Sequence, residues 1–140
     1  MTIHEKIRTI GTATGTPLWD LIGARVFLTE APQGCTVPYV VYRMAQDSIT
    51  TQNGPRARMR PWFLYLYPFA EKPLMTQRIG VQLEAVFCDY KRTVDGAADT
   101  DIQGFIIDTG IVDLDPVPRT GDSKLYPAAL VLKVWEQIGV

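Results

Sequence analysis

The sequence predicts a single α+β domain over residues 1–140, built as a mainly antiparallel β-sheet with an N-terminal helix and one long amphipathic helix packed on it. Three observations predict this fold. Apolar residues recur with helical spacing at the N-terminus and again in the middle of the chain. Runs of aromatic and β-branched residues, which fit a pleated sheet, lie between and after them. The chain has 140 residues, the size of one domain, and 46% of them are hydrophobic.

The first helix is predicted over residues 3–10, where three isoleucines share one helical face. Thr2 is a suitable N-cap, and Glu5, three residues later, completes a capping box. The stretch 11–17 is rich in glycine and proline, so it ends this helix. A short helical turn over residues 18–22 follows.

The next predicted elements are strands. A short strand is expected at residues 25–28, and a proline-rich loop then leads into a strand over residues 39–45. The run Trp62–Tyr67 is the most β-prone of the chain and is apolar on both faces, which indicates a central strand ending at Pro68. The simplest partner of this strand is 39–45, antiparallel, with an extended β-hairpin arm over residues 47–60 between them.

The clearest helix of the sequence begins near Pro73, a residue that suits a first helical turn. Six apolar residues lie on one face of this helix: Met75, Ile79, Leu83, Val86, Phe87 and Tyr90. Gly80 weakens the helix by about 1 kcal/mol relative to alanine. We therefore expect Gly80 where the helix lies close to a strand.

The C-terminal part of the chain predicts a second hairpin. Residues 93–101 are small, acidic and turn-like, and residues 102–114 form one strand, or two strands broken at Gly110. A loop over residues 116–122 then leads to the last strand, residues 125–135, whose side chains alternate.

Composition narrows the function classes. Lys and Arg total 14 and Asp and Glu total 15, so the net charge is −1, whereas a dedicated nucleic-acid-binding domain usually has a basic excess. The two cysteines, Cys35 and Cys88, are too few for a secreted disulfide scaffold, and we expect both to be reduced. No signal peptide and no apolar run of about 20 residues is present, so we expect a soluble protein made in a cytoplasm, with no membrane partner.

The sequence predicts no catalytic site, no metal site and no cofactor. His4, the only histidine, begins the first helix, where we expect it to be exposed and poorly placed for a catalytic triad. Asp108, Asp113 and Asp115 could hold a hard cation in principle, but they lack the EF-hand spacing and are expected to be solvated. An enzyme is disfavoured because no nucleophile–base pair is visible.

Three arginines spaced by two, Arg56, Arg58 and Arg60, follow a turn signal at Asn53. On a strand these three side chains share one face. They fit a solvated arm whose charges discourage aggregation, an arm that meets carboxylates of a neighbouring subunit, or a tract that faces DNA. Guanidinium groups bind carboxylate and phosphate alike, so the chemistry does not choose between these interpretations.

A two-part phrase spans residues 21–42. A helix ends in LIGARVF at Leu21–Phe27, and a loop with APQG at Ala31–Gly34 then enters the strand PYVVY at Pro38–Tyr42. This phrase resembles the tail-completion or tail-terminator proteins of long-tailed phages, and the later arm, strand, helix and closing hairpin follow the same layout. The residues that carry the resemblance are Gly23, Arg25, Pro32, Gly34, Pro38, Tyr39 and Tyr42.

The resemblance implies a virion protein that forms a ring, usually a hexamer, at the head-proximal end of the tail tube. Such a ring ends tube polymerisation and joins the tail to the head. Its partners are copies of itself, the tail tube protein and the head-completion or neck protein, with DNA passing through the lumen unread. A strand that is apolar on both faces agrees with this, because another copy can bury the spare face. The alternatives are a neck connector or adaptor, and a non-viral α+β domain that binds a small ligand or nucleic acid.

Overall fold

The computed structural model describes residues 2–46, 59–88, 101–119, 121 and 123–137, so most of the predicted arm and of the turn-like stretch 93–101 lies outside the described residues. Within them, one six-stranded sheet packs against helices, which confirms the predicted α+β fold. The helices are α1 (Ile3–Gly11), α2 (Pro17–Ile22) and α3 (Pro73–Cys88). The strands are β1 (Val26–Leu28), β2 (Tyr39–Gln46), β3 (Met59–Ala70), β4 (Asp101–Asp113), β5 (Val117–Pro118) and β6 (Lys124–Gln137).

Both N-terminal helices begin and end where local sequence signals predict. The Thr2 hydroxyl accepts from the Glu5 N–H at 3.3 Å, and the Glu5 carboxylate accepts from the Thr2 N–H at 3.0 Å, which confirms the capping box. Thr16 caps α2 in the same manner, since its hydroxyl accepts from the Trp19 N–H at 3.1 Å. Gly23 ends α2 with φ 58°, a conformation that glycine adopts readily.

The sheet has the order β1-β2-β3-β6-β4, with β5 beside β6. The predicted antiparallel pairing of β2 with β3 is confirmed, with Val41 opposite Tyr67, and β4 and β6 form the predicted second hairpin. The sequence did not predict that β1 pairs parallel to β2, with Val26 opposite Val40. Parallel pairing is possible because residues 29–38 return the chain to the end of the sheet at which β1 began, so that β2 runs in the same direction as β1.

The predicted end of the central strand at Pro68 is wrong, because β3 continues to Ala70. Proline has no N–H to donate, and the pairing with β6 is interrupted there, between Leu66 and Phe69. Pro68 nevertheless lies opposite Val40, and the pairing of β3 with β2 is continuous. Continuous pairing with β2 alone is therefore enough for β3 to continue past Pro68.

The C-terminal half agrees with the predicted elements in outline and differs in detail. β4 is one strand across Gly110, but its pairing with β6 shifts register at three places, the last two between Ile107 and Val112. The predicted loop 116–122 contains β5, where Val117 lies opposite Leu125. The last strand, predicted over 125–135, extends by one or two residues at each end.

The core lies between the helices and one face of the sheet. Helix α3 packs across β3, β6 and β4, and it buries Ile79, Leu83 and Phe87. A Cβ added at Gly80 would lie 2.9 Å from the Ile111 Cδ1, so the predicted close approach of helix and strand is confirmed. Of the six predicted face residues, Met75 and Val86 are only partly buried, and Tyr90 lies outside the described residues.

Candidate assembly surface

The two halves of the phrase at residues 21–42 meet in space. Arg25, which follows the end of α2, donates from its Nε to the Pro38 carbonyl at 2.7 Å. Its Nη2 donates to the Leu21 carbonyl at 3.4 Å, and the Val40 N–H donates to the Arg25 carbonyl at 2.9 Å. One residue thus ties the end of a helix to the start of β2, across thirteen positions of sequence.

The loop between these halves is closed by a tight turn. The Cys35 N–H donates to the Pro32 carbonyl at 3.1 Å, and Gly34 has φ 77°, where a side chain would be strained. The Val37–Pro38 peptide bond is cis. The turn explains why glycine stands at position 34, and beyond the loop Tyr39 enters the sheet opposite Phe69 of β3.

The two tyrosines of the phrase face opposite sides of the sheet. Tyr42 is 2% exposed among the helices, and its hydroxyl donates to the His4 carbonyl at 3.1 Å. Burial raises the pKa of Tyr42, and the charge of Arg8 opposes this. Tyr39 points to the other face and stacks on Phe69 with ring centroids 5.1 Å apart.

We call the face of the sheet that is turned away from the helices the open face. Side chains along each strand point alternately to the two faces of the sheet, and those of β1, β2, β3 and β6 that point to the open face are mostly aromatic or aliphatic. Its apolar members are Phe27, Tyr39, Val41, Phe63, Tyr65, Tyr67, Phe69, Val131 and Trp135. Except for Val41, they are half-buried by one another rather than fully buried. No helix of the described residues packs on them, and the buried core cluster includes none of them.

The charges on the open face have one sign along its central strands. Arg43 of β2 is exposed, and the Lys133 ammonium lies 5.6 Å from the Phe63 ring centroid and 5.4 Å from that of Trp135. β2 and β3 contain no acidic residue. The one carboxylate of β6, Glu136, lies on the opposite face, where it accepts from the Trp62 indole at 3.1 Å.

Arg60 is the one member of the predicted interface set that the structure describes. It lies in β3, and its guanidinium is 3.8 Å from the Glu136 carboxylate of the same chain. Asn53, Arg56 and Arg58 lie outside the described residues. Of this set, the structure therefore places only Arg60, and it places Arg60 beside a carboxylate of the same chain.

The free edge of β4 is the second unusual surface, and the sequence interpretation missed it. Within the described ranges β4 pairs only with β6, so its outer edge is unpaired there. Five large apolar residues of this region are more than 40% exposed: Ile106, Ile107, Val112, Leu114 and Val117. Asp108, Asp113 and Asp115 are exposed beside them, and no Lys or Arg occurs between residues 101 and 118. The absence of Lys and Arg from this stretch, which is rich in apolar and acidic residues, was the available signal.

The chemistry of the described residues does not converge on a catalytic centre. His4 is half-buried rather than exposed as predicted, because its ring packs edge-on against Trp62 at 6.0 Å. Among the described residues, no group of three or more His, Cys, Asp or Glu side chains is placed to hold a metal ion. An open groove of about 620 Å³ between α1, α2 and α3 is lined by Thr9, Thr16, Gln82 and apolar side chains, without a titratable group. Both cysteines are thiols.

Comparison with known proteins leaves the function open. No family model matches the chain, and no curated protein sequence matches it. Among the solved structures that are similar to the chain, one covers 83% of this chain with 81% of its own length, at 14% sequence identity and a TM-score of 0.49. A likeness of that size carries no functional argument. No helix of the described residues is long and apolar enough to span a membrane.

Proposed function

We propose that this chain is the subunit of a ring at the head-proximal end of a phage tail tube, where it ends tube growth and joins the tail to the head. The observation that carries the proposal is the open face, a contiguous aromatic surface that the helices leave uncovered. Contiguous apolar surfaces of this kind mark protein interfaces. The resemblance of residues 21–42 to tail-terminator proteins supports this particular ring.

The charges of the open face favour a head-to-tail contact over a two-fold dimer. A two-fold axis would place the open faces of two copies against each other, and Arg43 of each copy would then face strands β2 and β3, which contain no acidic residue. Like charges that face each other in an interface are unfavourable. A contact between two different surfaces avoids this, and it generates a ring when the rotation closes.

In this proposal the chain acts through its surfaces rather than through a small-molecule site. Copies of the chain bury the open face, and the two ends of the ring meet the tail tube protein and the head-completion or neck protein. DNA passes through the lumen without sequence readout. The product of assembly is a virion component that is made in the host cytoplasm.

The first test is the mass of the purified protein by light scattering, with negative-stain images of the same peak. We expect rings of about six copies, either alone or on the ends of tail tubes assembled in vitro, and we expect the rings to stop tube elongation. Tyr65→Glu introduces a charge on the open face and should abolish ring formation, because an unpaired charge is costly to bury. Leu74→Glu is the matched control, since Leu74 is 79% exposed on α3.

A pull-down separates this proposal from the neck adaptor. Capture of tail tube protein, together with shortened tubes, supports the terminator. Capture of head-completion or portal protein alone contradicts it and favours the adaptor. A protein that forms no ring and binds neither partner overturns the proposal.

A further inference from the structure

We infer that the open face of one copy binds the exposed segment after β4 of the next copy in the ring. The segment is Asp115–Pro118, which we call the proline segment. It docks in a depression of the open face over strands β2 and β3, which we call the aromatic socket, and the Asp115 carboxylate pairs there with Arg43. The inference rests on the proposed ring and identifies the surface of the chain that fills the open face.

The aromatic socket is an open depression of about 420 Å³. The residues that β2 and β3 contribute to it are aromatic or aliphatic, with one cation among them: Tyr39, Val41, Arg43, Tyr67 and Phe69. The Tyr39 ring stacks on the Phe69 ring with centroids 5.1 Å apart and an angle of 22° between their planes. The socket therefore offers a flat aromatic surface beside a guanidinium group.

The guanidinium group of Arg43 is open to a partner. Neither ion pair between described residues involves Arg43, whose side chain is exposed. Strands β2 and β3 contain no acidic residue, and Glu30, in the loop after β1, is the one carboxylate among the residues that line the socket. A carboxylate brought to Arg43 by another copy can accept two parallel hydrogen bonds from it.

The proline segment has the complementary chemistry. Val117 is 41% exposed between Pro116 and Pro118, and every residue from 112 to 119 is exposed. Proline fixes φ, and short proline-rich segments bind aromatic-lined grooves because they lose little conformational entropy on binding. Asp115 is exposed beside the prolines, and no Lys or Arg occurs between residues 101 and 118. The segment thus combines an apolar surface with a carboxylate, which match the aromatic rings and the guanidinium group of the socket.

Hydrogen bonds hold the proline segment at both of its ends. Before it, the Leu114 N–H donates to the Pro127 carbonyl at 3.0 Å. After it, the Arg119 N–H donates to the Ser123 carbonyl at 3.1 Å, and the Arg119 guanidinium donates to the Glu71 carboxylate at 2.9 Å. A segment that is held in this way before it binds loses less freedom when it is buried.

The strand pairing excludes the same contact within one copy. It aligns Arg43, across β3, with Val131 of β6. Asp113 lies opposite Ala128, three residues along β6 from Val131. Arg43 and Asp113 are therefore separated by about 10 Å along the strands and about 14 Å across three strand spacings. Asp115 follows Asp113 in the direction away from Val131, so a second copy must bring the carboxylate to Arg43.

The positions of the two surfaces fit a ring. The socket lies over β2 and β3, whereas the proline segment follows β4 at the far edge of the sheet. A contact between two different surfaces of one chain is head-to-tail, and repeated contacts of this kind form a ring when the rotation closes. Every copy then uses its socket once and its proline segment once.

A charge-swap experiment in the full chain tests the contact, with assembly measured as rings in solution or on tube ends. Arg43→Asp and Asp115→Arg each place like charges at the contact, and each should raise the concentration for half-assembly by roughly tenfold or more. An equimolar mixture of the two variants should assemble again, because alternating copies restore opposite charges at every contact. The double variant should assemble alone for the same reason. Glu30→Gln should lower the concentration for half-assembly, because it removes a carboxylate that repels Asp115.

Arg78→Asp and Asp20→Arg are the matched controls, since each makes the same change of charge at an exposed residue of a helix. Neither control should alter assembly, and circular dichroism should show that every variant is folded. Rings of unchanged stability in Arg43→Asp or Asp115→Arg overturn the contact, as does a mixture that fails to assemble or a Glu30→Gln variant that assembles less readily. If those rings still cap tubes, the proposed function stands without this contact. A wild-type protein that forms no ring in solution or on tubes overturns both.

Discussion

The two faces of the sheet consist of the same strands and have different surroundings. On β3, Leu64 and Leu66 are at most 1% exposed, whereas Tyr65 and Tyr67, one position along, are half-buried. On β6, Leu132 is fully buried, while its neighbours on the open face are not. Both faces are apolar, so hydrophobicity alone does not show which face the helices cover.

The difference lies in the kind of apolar residue. The centre of the covered face uses aliphatic side chains such as Leu64, Leu66 and Leu132, which pack densely and have no polar atom to satisfy. Tyr42 is an exception, and its hydroxyl donates to the His4 carbonyl. The open face uses tyrosine, tryptophan and phenylalanine beside Lys133, and tyrosine and tryptophan can keep a polar atom in water while burying a large ring. A face of the second kind suits a subunit that is folded before it assembles, because it tolerates water until a partner arrives.

The largest contrast should come from adjacent positions of β6. Leu132→Ala should lower the free energy of unfolding by about 2–5 kcal/mol, because it leaves a cavity in the covered core. Val131→Ala, on the open face, should lower it by about 1 kcal/mol or less. Urea unfolding of the monomer measures both, and equal losses would mean that the two faces are covered alike.

The next effect tests how closely α3 lies on the sheet. Gly80→Val should lower the free energy of unfolding by about 1–3 kcal/mol, since even a Cβ would lie 2.9 Å from Ile111 Cδ1. Ile111→Ala in the same chain should recover part of that loss, because it removes the contacting atoms. Equal unfolding midpoints for the single and double variants would contradict a direct contact between these two residues.

Tyr42 links the covered face to α1. Tyr42→Phe should lower the free energy of unfolding by about 0.5–1.5 kcal/mol, because it removes the hydrogen bond to the His4 carbonyl. Burial raises the pKa of Tyr42 above its ordinary 10.0, so the folded protein holds this proton more tightly than the unfolded chain. Stability is therefore full below about pH 10 and falls as the pH rises above it.

Unfolding experiments between neutral pH and about pH 11 check the sign of this dependence. The loss of stability should be shallower in Tyr42→Phe than in the wild type, with a remaining part from Tyr39. Burial raises the pKa of Tyr39 in the same direction, as does the charge of Cys35, while that of Arg119 opposes it. Parallel curves for the wild type and Tyr42→Phe would contradict this role of Tyr42.

The smallest effect belongs to the open face. Lys133→Gln removes the cation from the rings of Phe63 and Trp135 and should lower the free energy of unfolding by only about 0.5–1 kcal/mol. Thermal unfolding at high protein concentration should show an additional fall in the melting temperature of Lys133→Gln only if copies of the chain bury the open face. A loss as large as that of Leu132→Ala would show that Lys133 supports the core.

Much of the fold could be predicted because its signals are local. The capping box at Thr2, the periodicity of α3 and the antiparallel partnership of β2 with β3 follow from residues close in sequence or from simple hairpin pairing. Gly80 is the one long-range feature that was predicted, since glycine in a helix interior needs a close neighbour to explain it.

The errors concern contacts between distant segments. The parallel pairing of β1, the continuation of β3 past Pro68 and the burial of His4 against Trp62 all depend on neighbours that lie far away in sequence. The candidate surfaces follow the same rule. The arginine pattern was visible in the sequence, whereas the exposed apolar and acidic residues of β4 became a sheet edge only when β4 took the outer position of the sheet.

The sequence by itself determined the fold class and most element positions, because hydrophobic periodicity, caps and breakers act over a few residues. Only the tertiary structure decided which face of the sheet the helices cover, which strand forms its edge and which residues of the phrase at 21–42 contact one another. The physical reason is that an apolar strand face gains nearly the same free energy from any covering layer. The choice therefore depends on where the chain places its helices, and that placement is a property of the whole fold.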